Sequence, residues 1–199
     1  MKQFKIVLLL LAVALLSVSC SNEISKLKKQ ADNNDVTAQI KLAKIYYDGN
    51  DKVPQDFKEA FKYYSKAAEN KDKDAQLEMV WMLFSGKGTD RDFKKAVELL
   101  NKYADNGNKK AQEVLASMYY FGIFVKKNYQ RAFELFLISA EDGKVYAQEK
   151  VADMYYEGEY VKKNYSKALE WYGKAAAQGS LYAKIASIEI EQMDIKGEL

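Results

Sequence analysis

The sequence predicts an all-α fold, an α-solenoid of tandem helix–turn–helix repeats with a cap helix at each end. One observation is the dipeptide Ala-Gln, which recurs every 36 or 37 residues, at 38–39, 75–76, 111–112 and 147–148. A second is an alanine that recurs every 36 residues, at 60, 96, 132 and 168. A third is that glycines able to end a helix alternate with Asp or Asn residues able to begin one. A fixed period of this length indicates stacked supersecondary units.

Residues 1–19 have the features of a signal peptide. Lys2 and Lys5 precede an apolar run over residues 6–16, which is shorter than the roughly 20 residues that span a bilayer. The segment LLSVSC, ending in Cys20, resembles a bacterial lipobox, in which the cysteine receives a lipid and becomes the new N-terminus. The resemblance implies a lipoprotein of the bacterial cell envelope, expected in the outer membrane, on a periplasmic or surface face that stays open. Ordinary secretory cleavage is the alternative, and it would leave the only cysteine as an unpaired thiol in an oxidising compartment.

Residues 20–35 are predicted to be a lipidated tether and an N-terminal cap helix. The stretch ISKLKKQADNN repeats the pattern of the last half of a second repeat helix. Ala31 falls in the column of Ala68, and Asn34 falls where later copies have a helix-ending glycine.

Residues 36–180 are predicted to form four repeats of two helices each. The first helix, helix A, begins near the Ala-Gln pair, runs for about 12 residues and ends at Gly49, Gly86, Gly122 or Gly158, because glycine accepts the left-handed conformation that ends helices. Helix B begins after Asp56, Asp92, Asn128 or Asn164, whose short side chains can accept hydrogen bonds from the first free amides. It ends at Gly107, Gly143 and Gly179, and at Asn70-Lys71 in the first copy.

Residues of similar size occupy fixed columns along both helices. Helix A carries Leu42, Met79, Leu115 and Val151 in one column, and Tyr46, Leu83, Tyr119 and Tyr155 in the next. Helix B carries the 36-residue alanines, then Tyr63, Leu99, Leu135 and Trp171, then Ala68, Ala104, Ala140 and Ala176. The three-to-four spacing places each set on one helical stripe. The columns predict an inter-helix core, in preference to a tyrosine-lined cofactor site.

Residues 181–199 are predicted to be a C-terminal cap helix and tail. The helix begins at Leu181 and reaches about Met193. Glu191 stands in the tyrosine column, and a polar residue there predicts a cap that faces water.

The stretch AQEKVADMYYEGEYVKKNYSKALEWYGKAAAQG, residues 147–179, resembles the Sel-one-like repeat, a relative of the tetratricopeptide repeat. The resemblance implies a solenoid and an adaptor role, and it extends over about 150 residues. Some members with paired cysteines in each repeat are linked to β-lactam binding or hydrolysis. This chain has no cysteine in the repeats, which weighs against that activity.

Composition limits the chemistry available to the chain. There is no histidine, and Cys20 is the single cysteine, so His-based triads and thiolate or imidazole metal sites are excluded from the repeats. The formal net charge is only +3, which argues against nucleic-acid binding. We therefore expect a protein that is not an enzyme and carries neither cofactor nor metal.

The expected function is a protein–protein interaction scaffold whose A helices line a concave groove for a protein or peptide. The candidate partner-binding residues are the glutamines of the Ala-Gln pairs, the aromatic residues eight positions further on, and Trp81: Gln39, Gln76, Gln112 and Gln148; Tyr47, Phe84, Tyr120 and Tyr156. Trp81 stands in a column with Lys44, Ser117 and Asp153, which predicts an exposed position, although a core position stays open. Phe124 and Tyr160, in the loops, are either binding residues or locally buried. The alternatives are a surface protein that binds a host factor and, less favoured, a hydrolase of the β-lactamase-like repeat type.

Overall fold

The computed structural model describes residues 23–196. The proposed signal peptide and Cys20 lie outside the described residues, as does the end of the tail. Within residues 23–196 all regular structure is helical, and every helix is too short or too polar to traverse a bilayer. The helices are α1 (23–32), α2 (Val36–Asp48), α3 (Phe57–Glu69), α4 (Lys73–Ser85), α5 (Phe93–Asp105), α6 (Lys109–Phe121), α7 (Tyr129–Glu141), α8 (Val145–Glu157), α9 (Tyr165–Ala177) and α10 (Leu181–Ile195).

Residues 23–196 fall into two compact units, which divide between Ala96 and Val97. In the first unit α2 packs on α3, and α3 packs on α4. In the second unit each helix from α6 to α10 packs on the next one along the chain. In these stretches, helices that are neighbours in sequence are also neighbours in space, as expected of a tandem helical repeat.

The predicted starts of the B helices are confirmed by their caps. The side chains of Asp56, Asn128 and Asn164 accept hydrogen bonds from amides in the first turn of α3, α7 and α9. Asp92 accepts from the amide of Lys95 in the same way at α5. Each oxygen satisfies a donor that the helix itself leaves unpaired.

The A helices begin two residues before the Ala-Gln pair, and they have caps of their own. Asp35, Asp72 and Asn108 each accept a hydrogen bond from the amide of the following repeat alanine. Ser180 does the same for Ala183 at the start of α10, whereas Lys144 makes no side-chain cap at α8. The predicted ends are confirmed at Gly86, Gly122 and Gly158, which are left-handed C-caps.

Most positions of the predicted columns are buried in the core, but five are only half-buried: Leu99, Tyr119, Tyr155, Trp171 and Ala176. Leu42, Met79, Leu115 and Val151 are buried, and the recurring alanines at 60, 96, 132 and 168 are fully buried. Ala31 is also fully buried, and Asn34 has the positive φ of 64° that its glycine-like position requires. The first described helix therefore has the register of a helix B, as the sequence predicts.

The C-terminal helix exposes an apolar face beside the polar residue, Glu191, from which a cap facing water was predicted. Glu191 is exposed, but Leu181, Ile185 and Ile188 are also exposed, by about half or more of each side chain. These three residues are spaced four and three apart, so they share one face of α10. The opposite side buries Ala183 and Ile190 against α9. One glutamate in a column was too little information to predict the whole face.

Candidate protein-binding surfaces

The glutamines of the Ala-Gln pairs are joints between successive helices. The side-chain amides of Gln39, Gln112 and Gln148 donate to the carbonyls of Ala31, Ala104 and Ala140 over 3.0–3.1 Å. Each of those carbonyls lies in the last turn of the preceding helix and also accepts a hydrogen bond from the backbone amide three residues further on, so the glutamine is its second donor. Gln39 and Gln148 also accept hydrogen bonds from Asn70 and Gln178.

This arrangement corrects the prediction that the glutamines line an open surface. Gln39, Gln76 and Gln148 are buried, and Gln112 is half-buried. Their position next to the repeat alanine turns them toward the previous helix, and hydrogen bonds hold Gln39, Gln112 and Gln148 there. The glutamines are therefore not part of the surface that a partner can reach.

The candidate aromatic residues of the A helices, Tyr47, Phe84, Tyr120 and Tyr156, are half-buried. Each packs on the aromatic residue that begins the following helix B: Tyr47 on Phe57, Phe84 on Phe93, Tyr120 on Tyr129 and Tyr156 on Tyr165, with ring centroids 5.3–6.2 Å apart. This pairing was not predicted, although an aromatic residue directly follows every B-helix cap in the sequence. These residues join the two helices of each repeat and keep part of their surface accessible.

Trp81 lies on the surface of the first unit. Its side chain is 46% exposed, and its ring centroid is 5.7 Å from that of Phe84. Phe84 in turn contacts Phe93, which is 41% exposed. We call Trp81, Phe84 and Phe93 the Trp81 patch. The sequence left open whether Trp81 is exposed or belongs to the core, and in the structure it is exposed.

The predicted exposure of the column that contains Trp81 fails at its last member. Lys44 is exposed and Ser117 is half-buried, but Asp153 is buried. One carboxylate oxygen of Asp153 accepts hydrogen bonds from the hydroxyls of Tyr172 and Tyr182, at 2.7 and 2.8 Å. The other oxygen is 2.6 Å from the ammonium of Lys150. Burial without such partners would be costly for a carboxylate, so these contacts explain its position.

The hydrogen-bonded tyrosines keep their protons far into the alkaline range. Burial and the hydrogen bond to Asp153 raise the pKa of Tyr182 to about 12. The same two causes raise the pKa of the more deeply buried Tyr172 further. At neutral pH both hydroxyls are therefore donors to Asp153.

Asp153 lies in the wall of a pocket of about 290 Å³ in the second unit. The wall carries four tyrosines and three carboxylates: Tyr120, Tyr156, Tyr172 and Tyr182 with Asp153, Glu157 and Glu189. The sequence signal for this site was weak, because its residues come from α6, α8, α9 and α10 and only Tyr120 and Tyr156 were candidates.

The loop aromatics, Phe124 and Tyr160, are both more than half exposed. Both have a positive φ, 58° and 68°, a conformation that is uncommon for large side chains. The ring of Tyr160 is 5.9 Å from that of Phe133, so it rests on the surface of α7. The alternative that a local shift buries the two side chains is therefore wrong.

Tandem helical pairs with recurring caps and buried alanine columns define an α-solenoid repeat protein. The Sel1 repeat family matches four consecutive segments, residues 36–72, 73–108, 109–144 and 145–180. The chain belongs to the Sel1 repeat family. Proteins of this family generally mediate protein–protein interactions and are generally non-catalytic scaffolds.

Two solved structures are similar to the chain over most of its length. One is a protective antigen of uropathogenic Escherichia coli with an SLR fold, at 32% identity and a TM-score of 0.71 over 80% of this chain and 34% of that one. The other is a Sel1 repeat protein from Oxalobacter formigenes, at 32% identity and a TM-score of 0.66 over 80% of this chain and 65% of that one. The chain thus spans about a third and just under two thirds of these two proteins. None of the curated proteins matches it.

Proposed function

We propose that the protein is a non-catalytic scaffold that binds a protein or peptide partner through the Trp81 patch while held at the bacterial cell envelope. The observation that carries the binding site is the exposure of Trp81 within a group of three aromatic side chains. Tryptophan is among the residues most enriched at the energetic centres of interfaces. Family membership supports the class of function, and the patch supports its location.

The contacts of Phe84 with its neighbours order the aromatic rings of the patch before a partner binds. Phe84 packs on Phe93, which begins the next helix, so the ring beside Trp81 is fixed by the helix pair. A surface whose rings are ordered before binding loses little conformational entropy when a partner covers it. Tyr47 is a second half-buried ring of the same unit, and Lys87 lies 4.8 Å above its centroid and donates to its hydroxyl.

Site-specific photocrosslinking tests the proposed surface. A benzophenone amino acid placed at position 81 should capture a partner in bacterial membranes. The same amino acid at Ile138, which is 43% exposed on a B helix, is the matched control. Capture of one discrete species at position 81 and not at position 138 is expected. The same species from both positions, or none from position 81, would contradict the proposal.

Attachment to the envelope is the second part of the proposal, and it rests on the sequence around Cys20. Acyl chains contribute about 0.8 kcal/mol per buried CH₂, so two or three chains hold a protein to a membrane almost permanently. Cys20→Ser should therefore move the protein from the membrane fraction to the soluble fraction or leave it unprocessed. Normal maturation and continued membrane association of this variant would rule out the lipid anchor.

A second candidate function is binding of a host factor at the cell surface. It is favoured by one observation, that a similar Escherichia coli protein is described as a protective antigen. Protease treatment of intact cells separates the two candidates. Cleavage of the protein in intact cells would support the surface location, whereas cleavage only after the outer membrane is permeabilised would support a periplasmic scaffold.

A further inference from the structure

The pocket around Asp153 carries an excess of negative charge. Among the residues that the structure describes, its walls include the carboxylates of Asp153, Glu157 and Glu189 and no lysine or arginine. Lys150 pairs with Asp153 from outside the lining and offsets one of these charges. Within residues 23–196, Glu157 and Glu189 make no ion pair, and both are exposed. A positively charged group entering the pocket would therefore meet uncompensated carboxylates.

The form of the pocket favours an organic cation over a metal ion. Among the described residues, no three carboxylate or thiolate side chains converge closely enough to hold a metal. The tyrosine rings and Ile185 instead offer apolar surface beside the charges. A lysine or arginine side chain combines a charged head with an apolar stem, and cations are also attracted to aromatic rings. This lining matches both parts of such a side chain.

The pocket opens beside the exposed apolar face of α10. Ile185 belongs to both, since it lines the pocket and lies between Leu181 and Ile188 on that face. An occupant that reaches the pocket therefore passes over apolar surface on the same helix. The complementary segment has one cationic side chain with apolar side chains close to it.

We infer that the pocket and the α10 face together bind a segment of a partner protein that inserts one Lys or Arg side chain between the tyrosines and carboxylates. Apolar residues of the same segment cover Leu181, Ile185 and Ile188. This inference rests on the proposed scaffold function, but it names a second surface, in the other unit from the Trp81 patch. It also gives the chemistry of the partner.

Random dodecapeptides displayed on phage are the probe, selected against the full chain in detergent. Selected peptides should share a basic residue flanked by apolar ones. The tightest is then synthesised in two forms, with its lysine or arginine intact or replaced by norleucine. Calorimetric titration of both forms measures what the charge contributes.

A double-mutant cycle locates that charge. Glu157→Gln with Glu189→Gln, and the norleucine peptide with the unchanged protein, should each weaken binding by about tenfold. When the two changes are combined, the loss should stay well below a hundredfold, because the paired groups have already been separated. Glu98→Gln with Glu141→Gln removes two exposed carboxylates elsewhere in the same unit, and this control should change the affinity by less than about twofold.

Several outcomes would overturn the inference. The inference fails if the selection yields no peptide, or only peptides without a basic residue. It also fails if the Glu157/Glu189 and Glu98/Glu141 variants lose affinity equally, or if the losses of affinity in the double-mutant cycle are additive. Peptides that Trp81→Ala weakens and the Glu157/Glu189 pair does not would reject this second surface and leave the proposed function intact. A dimer in solution that Ile185→Glu dissociates would assign the α10 face to a second copy of the chain, which also overturns it.

Discussion

The glutamine that follows the repeat alanine supplies a second hydrogen bond to a carbonyl in the last turn of the previous helix. That carbonyl accepts one hydrogen bond from a backbone amide of the turn that ends the helix, and the side-chain amide of Gln39, Gln112 or Gln148 donates to the same oxygen. Because these amides are buried or half-buried, the repeat uses its most regular polar residue in folding. The partner must therefore be recognised by other side chains.

Replacing Gln148 should reduce stability. Gln148→Ala removes two hydrogen bonds, the one donated to the Ala140 carbonyl and the one accepted from Gln178. At a net contribution of about 0.5–1.5 kcal/mol each, the loss should be about 1–3 kcal/mol. Gln130→Ala is the matched control, since Gln130 is exposed and its side chain donates to the surface carboxylate of Glu134, so we expect a change below about 0.5 kcal/mol. Urea denaturation measures both. Equal stability of the two variants would show that Gln148 does not join the helices.

The tyrosines around Asp153 should make the protein sensitive to alkaline pH. A pKa raised in the folded state means that the unfolded chain loses its protons first, from the ordinary tyrosine value of about 10 upward. The stability that these protonated tyrosines contribute is therefore complete below about pH 10. For Tyr182 it is lost as the pH rises to about 12.

Tyr182→Phe tests this dependence, because it removes one of the two hydroxyls that donate to Asp153. Denaturation curves measured from neutral to alkaline pH should show a shallower loss of stability in the variant than in the wild type. An unchanged slope would mean that Tyr182 titrates alike in the folded and unfolded chain.

At the scale of helices and loops, most of the architecture could be predicted from the sequence. Caps and helix-ending glycines depend on the local chain, so Asp56, Asn128 and Gly122 could be interpreted without knowledge of any neighbour. The burial of Asp153 and the apolar face of α10 could not be predicted in this way. Both depend on which side chains of other helices lie opposite, and those come from residues 19 and 29 positions away for Asp153.

The loop that follows α4 contains a close approach that only glycine permits. A Cβ at Gly88 would lie 1.9 Å from the carbonyl oxygen of Phe57, whereas a Cβ at Gly86 would lie 3.4 Å from its nearest neighbour, Arg91. Both glycines have a φ of 73°. The pair therefore separates the effect of a steric clash from that of the left-handed backbone.

Gly86→Ala should cost about 1–2 kcal/mol, the penalty for placing a side chain in the left-handed conformation. Gly88→Ala should cost more than about 3 kcal/mol, because backbone atoms of α3 must also move. Thermal or urea denaturation of the two variants gives the difference directly. Similar losses would mean that the loop does not pack closely on the start of α3.

For the whole molecule, the central claim is that folding and partner binding use different residues. The buried alanine and leucine columns, with the caps and glutamine joints, stabilise the repeats. Trp81 lies on an A helix and is nearly half exposed, so its loss should affect the fold little. The proposed lipid at Cys20 would add attachment to a membrane without contributing to either role.

The most direct test of this claim is Trp81→Ala, with melting temperature and affinity for the partner crosslinked at position 81 measured on the same sample. We predict a melting temperature within a few degrees of the wild type. Truncation of an interface anchor costs about 2 kcal/mol or more, so the affinity should fall by roughly thirtyfold. Removal of a tryptophan from a core costs about 3–5 kcal/mol of folding stability instead. A large drop in melting temperature, or an unchanged affinity, would contradict the account.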